Sequence, residues 1–169
     1  MPQLTAADFT PTKFHTADDK AWFANALLKF LADDCPRSGF TDRLYVRLSN
    51  SFGHIAHYDR SGFFEHFFPD PERRIAFLEE TLRWPCHGAA EFTFSDAEIV
   101  VQSRVAAANL LSVERARRDS EITRRERALL ECLKAKYEPI SRPDSPPDSA
   151  PATAPAPILR QRSLFDFSE

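Results

Sequence analysis

The chain has 169 residues, a mass of 19.3 kDa and 22 Lys and Arg against 25 Asp and Glu, for a formal charge of −3 and a pI near 6.0. This is room for one domain with appendages, and the acidic balance lacks the basic face that displaces counterions from phosphates, so no direct nucleic-acid contact is expected. Cysteines at 35, 86 and 132 are odd in number and unpaired in spacing, which argues against a disulfide framework and for a reducing cytoplasm. Neither a signal peptide nor the roughly 20 apolar residues of a membrane span is visible.

Residues 1 to 94 hold 13 of the 15 phenylalanines and both tryptophans, so an aromatic core is expected there. After a preamble ending near His15, Thr16 and Asp19 form a capping-box pair. Trp22, Phe23, Ala26, Leu27, Phe30 and Leu31 then recur at helical spacing as far as Cys35-Pro36. From Arg43 the pattern divides: Leu44, Val46 and Leu48 alternate like a strand, whereas Leu44, Tyr45, Leu48, Phe52 and Ile55 fit a helix. The helical reading covers more residues and is the one adopted. Phe63, Phe64, Phe67 and Phe68 suggest a short helix ended by Pro69. Asp70-Pro71-Glu72 begins another, with Ile75, Leu78 and Leu82 on one face and Trp84-Pro85 as its close.

Glu91 to Phe94 reads as a short extended link, and Ser95-Asp96-Ala97-Glu98 as a capping box for the next helix. Its apolar residues run through Ile99, Val100, Ala106, Leu110, Leu111 and Val113. Between Ala116 and Ile122 the pattern is polar all round, so the helix either projects or breaks there, with Thr123-Arg124-Arg125-Glu126 as a second box in the event of a break. Segment 112 to 137 carries eight Lys or Arg against five Asp or Glu; it is a solvated helix with internal ion pairs, or a phosphate-contacting or partner-contacting one. The whole reads as an all-α fold. Residues 1–137 form the helical domain, with an aromatic core over about 16–111 and a charged helix over about 112–137. A disordered Pro/Ala/Ser linker follows over 138–160, holding seven prolines.

Histidines at 54, 57 and 66, Asp59 and the Cys86-His87 pair invite a zinc reading, but no second recognisable ligand spacing accompanies them. Ser49 and Ser51 lie near these histidines without a Gly-x-Ser-x-Gly turn. The paired carboxylates Asp18-Asp19 and Asp33-Asp34 sit in the first turn and near the end of one predicted helix. No phosphate-cradling loop can be built from four glycines. Neither a cofactor nor an enzymatic activity is expected.

The chemistry-bearing segment is instead residues 161–169. Gln161, Ser163, Leu164 and Phe165 match four of five positions of the peptide by which bacterial proteins bind the DNA polymerase sliding clamp, Gln-Leu-Ser/Asp-Leu-Phe, with Arg162 at the loosest position. Leu164 and Phe165 are adjacent apolar anchors worth roughly 1.5–3 kcal/mol each before ordering costs. Gln161 can donate and accept together, Ser163 leaves the backbone free to bend, and Phe167 offers a further contact.

A small helical domain with a linker and such a peptide resembles the SocB family, the replication-inhibiting toxins of atypical type II toxin–antitoxin systems. The resemblance rests on the peptide and the architecture, with no motif in residues 1–137. It implies a cytoplasmic protein that joins the replisome by occupying the beta sliding clamp of DNA polymerase III and blocks elongation by displacing clamp clients. It further implies an antitoxin that acts as a proteolytic adaptor to the ClpXP protease. A clamp-tethered DNA repair or processing factor is the alternative.

Overall fold

The structure, a computed structural model, describes residues 3–54 and 59–138. Its described residues form six α-helices and two short 3-10 turns, with no strand among them. The compact unit Met1–Glu131 carries the core, and a second unit begins at Cys132.

Helix α1 (Ala17–Ala32) starts where the Thr16 and Asp19 pair predicts. Asp19 N–H donates to Thr16 Oγ1 at 3.1 Å and Thr16 N–H donates to the Asp19 carboxylate at 3.0 Å, so two orphan donors are satisfied reciprocally. The same Thr16 backbone bond holds the Asp19 carboxyl below its usual value. Its end differs from the sequence reading: the helix stops at Ala32, short of Cys35-Pro36. Asp34 (φ 71°) and Cys35 (φ 50°) turn left-handed, and Cys35 N–H closes onto Phe30 O at 2.9 Å. That six-residue closure is a Schellman ending, here with Asp in place of the usual Gly.

Helix α2 (Asp42–Leu48), capped by Thr41, confirms helix over strand after Arg43 but ends before Phe52. Phe52 (φ 52°) and Gly53 (φ 71°) lie in the turn beyond it, and Ile55 lies outside the described residues. Helix α3 (Arg60–Phe67) is capped by Asp59, and α4 (Pro71–Arg83) by Asp70 with Pro71 at its first position. Helix α5 spans Ser95–Ala107 and α6 Leu110–Tyr137.

Three expectations between α4 and α6 are corrected. Glu91–Phe94 is a turn rather than an extended link, since Phe92 N–H and Thr93 N–H both donate to Ala89 O. Ser95 does not cap: Phe94 occupies that position, the Ser95 hydroxyl donates to Gly88 O, and Glu98 is drawn to long-range donors instead. The helix expected to run on from Ser95 breaks earlier, at Ala108–Asn109, and of the two alternatives for 116–122 the unbroken one holds. Asn109 takes the left-handed conformation (φ 51°) that Asn tolerates, and α6 runs unbroken through the charged stretch. Thr123, the second candidate cap, donates to Asp119 O within the helix. Ion pairs such as Arg117 with Glu114 and Arg125 with Glu121 line this helix.

Phe23, Phe63 and Phe77 are fully buried, and Phe30, Phe40, Phe68 and Phe77 meet edge-on or tilted at ring separations of 4.9–5.5 Å. The preamble joins this core, as Leu4 and Phe9 are buried and Leu4 is hydrogen-bonded through its backbone to Asn25. Helix α1 packs along α5. Across that contact the fully buried Lys20 donates to Asp96 Oδ1 and Ala90 O, both at 2.7 Å.

Candidate functional site

The peptide residues Gln161, Ser163, Leu164, Phe165 and Phe167 lie outside the described residues, as does the linker from residue 139. The remaining candidates can be placed, with the exception of His57. His54 is enclosed by Phe63, Phe67 and Phe77, stacked on Phe77 at 5.1 Å. Burial pushes its pKa down to about 4, so at neutral pH it is an uncharged core ring. Just beyond α2, Ser49 and Ser51 donate to Val46 O and Arg47 O of its last turn, a local use of both hydroxyls. His66 sits edge-on against Phe67. Among the described residues no group of three or more His, Cys, Asp or Glu is placed to hold a metal ion.

Two of the three cysteines, Cys35 and Cys86, are poor nucleophiles. Burial pushes the Cys35 thiol up to about 12 and the Cys86 thiol to about 11, the latter helped by the nearby Glu98 carboxylate. Asp33 and Asp34 do not form an acid–base pair. Asp34 instead belongs to a charge network at the end of α1, bonded to Arg74 and Arg117, while Glu114 pairs with the same two arginines.

The structure assembles a different feature that the spacing of residues does not announce. A groove of about 420 Å³ lies between the Thr12–His15 turn, the segment from Arg47 to Gly53, and the connection from Trp84 to Phe94. Thr12 holds the first wall: its hydroxyl oxygen accepts from Phe14 N–H and His15 N–H, and its own N–H donates to His15 O at 2.8 Å. That turn leaves the Phe14 ring 80% exposed, and Phe92 on the α4–α5 connection is equally exposed.

Arg47, which lines the same groove, is held by aromatic groups. Its guanidinium carbon lies 5.1 Å from the Phe94 centroid, and its two terminal nitrogens lie 3.0 Å from the two ring nitrogens of His15. Trp84 and Gly53 meet so closely that a Cβ on Gly53 would lie 2.3 Å from the indole. Glu98, buried at the base, accepts from Phe52 N–H at 2.8 Å and from Trp84 Nε1–H at 3.2 Å, which ties both loops to α5. The arrangement offers aromatic surface and a cation to a ligand, without a base–nucleophile pair.

In the sequence, Phe14 falls in the stretch read as a preamble, Arg47 on a helix read for its apolar side, and Phe92 in a link. Only the high phenylalanine content before residue 94 pointed toward this region. No protein-family model, curated protein or solved structure matches the chain.

Proposed function

We propose that this protein binds the beta sliding clamp of DNA polymerase III through Gln161, Ser163, Leu164 and Phe165, with Phe167 adding contact, and inhibits replication elongation by competing with clamp clients. The observation that carries the reading is the Gln-x-Ser-Leu-Phe peptide behind a proline-rich segment. Leu164 and Phe165 enter a hydrophobic cleft and Gln161 satisfies polar groups at its edge, a mode in which a few side chains supply most of the energy. Because an extended peptide is ordered on binding, the affinity expected of residues 161–169 alone is micromolar. Competition follows from occupancy, since a polymerase peptide of the same pattern needs the same cleft.

The role is that of a replication-inhibiting toxin, non-enzymatic and without cofactor, with an antitoxin acting as proteolytic adaptor to ClpXP as the implied control. The test is a titration of the purified chain against the clamp of its own species, paired with expression in growing cells. Replacing Leu164 and Phe165 together by Ala should weaken binding by about 3 kcal/mol, over a hundredfold, and relieve growth arrest. A double variant that binds as wild type, or still stops replication, removes the clamp as target. Tolerated expression of a chain that does bind the clamp points to the repair-factor alternative.

A further inference from the structure

We propose that the groove walled by Phe14, Arg47 and Phe92 is a second binding site, which takes an acidic peptide segment of a partner protein. Arg47 receives a carboxylate, and Phe14 and Phe92 receive the aromatic or aliphatic side chains beside it. The proposal is independent of the clamp reading, which concerns residues 161–169 and assigns nothing to the helical domain.

Arg47 is the core of the argument. The two ring nitrogens of an imidazole point away from each other, and a neutral ring has a single acceptor. Both 3.0 Å contacts to His15 therefore cannot be in-plane hydrogen bonds, and the guanidinium lies against the ring with most of its five donors unspent. Phe94 supports it from another side. Arg37, Arg43, Arg60 and Arg74 each hold a carboxylate, whereas Arg47 is paired with none among the described residues. An arginine immobilised by aromatic rings and short of a counter-ion is preorganised for a carboxylate, because its ordering cost is already met by the fold.

The surroundings set the rest of the chemistry. Lys13, over the Phe14 ring, adds a second cation at the rim. The buried wall carboxylate, Glu98, is engaged by two donors. Single exposed apolar side chains are ordinary on a surface, but two phenylalanines each 80% exposed line one groove with Trp84 and the cation. A single-stranded nucleic acid would need a basic track along its phosphates as well as stacking surfaces. One unpaired guanidinium in the groove, without such a track, matches a single carboxylate rather than a run of phosphates and so favours an acidic peptide.

The experiment titrates the full chain into a fluorescein-labelled hexapeptide of alternating Phe and Asp, and into its Phe/Asn counterpart, reading anisotropy. The Asp peptide should bind about tenfold more tightly, the factor expected of a charge-assisted pair at a half-exposed site. Arg47→Gln should erase the difference between the two peptides. Phe14→Ala and Phe92→Ala should weaken both peptides while leaving thermal melting unchanged, since neither ring is buried, and these two keep the test intact if Arg47→Gln destabilises the fold. Equal binding of the two peptides, no binding of either, or binding indifferent to all three substitutions overturns the proposal. A labelled poly-dT strand that binds more tightly than the Asp peptide and is lost in the same variants overturns it in favour of nucleic acid.

Discussion

Asp96→Ala is expected to be among the more damaging single changes in the helical domain, and the reason lies in Lys20. The Lys20 side chain is fully buried, the Asp96 side chain is 19% exposed, and the ammonium has two oxygen partners, Asp96 Oδ1 and Ala90 O, both at 2.7 Å. Removing the carboxylate leaves a buried cation with one carbonyl and the Phe94 ring, whose centroid lies 5.6 Å away. Breaking a buried pair from one side costs about 3–5 kcal/mol. Partial exposure of Asp96 and the surviving carbonyl bring the expectation to the lower end, about 3 kcal/mol, with the exposed Thr10 N–H bond to Asp96 Oδ2 adding little.

Lys20→Met should behave differently. It removes the buried charge, keeps most of the stem's packing, and leaves Asp96 with water, Thr10 N–H and Ala97 N–H, so about 1 kcal/mol or less is expected. The double variant should therefore be more stable than Asp96→Ala alone. Urea unfolding followed by far-UV circular dichroism measures all three, and with a slope of about 1–3 kcal/mol/M the Asp96→Ala midpoint should fall by about 1–3 M. If Asp96→Ala costs under about 1 kcal/mol, or the double variant is the least stable, the buried-cation argument is wrong.

His54 has a folded-state pKa of about 4 against an ordinary 6.5, so the unfolded chain takes the proton first. The stabilisation is complete above pH 6.5 and is lost as pH falls toward 4, and the stability gap between wild type and His54→Gln should narrow over that window; a constant gap would count against it. Gly53→Ala should cost about 2–3 kcal/mol, since φ is 71° and the new Cβ would lie 2.3 Å from the Trp84 indole, and calorimetric melting would detect it. Iodoacetamide should label exposed Cys132 first, Cys86 more slowly and Cys35 only on unfolding, because the Cys35 thiol is buried and pushed up to about 12; mass spectrometry of a time course reads the order.

Features whose physics is local could be read directly from neighbouring residues. The Thr16 and Asp19 box, the Asp70-Pro71 start and the helical repeat of Phe63, Phe64, Phe67 and Phe68 depend on residues within one turn of each other. The Gln-x-Ser-Leu-Phe match on which the proposed clamp binding rests is legible for the same reason, as it resides in five contiguous residues. The Ser95–Glu98 box satisfied every local requirement and still did not form. Phe52 N–H and Trp84 Nε1–H, distant in sequence, bind Glu98 in the folded state, and a buried carboxylate goes where its donors are. The helix ends at Ala32 and Ala107 were decided likewise by left-handed residues beyond them, Asp34, Cys35 and Asn109, none of which is glycine. The groove needed the most from tertiary structure: Phe14, Arg47 and Phe92 come from three segments whose local patterns read as preamble, apolar helix and link. Only packing α1 against α5, with Lys20 buried between them and Glu98 holding the two loops, brings that cation and those rings to one place.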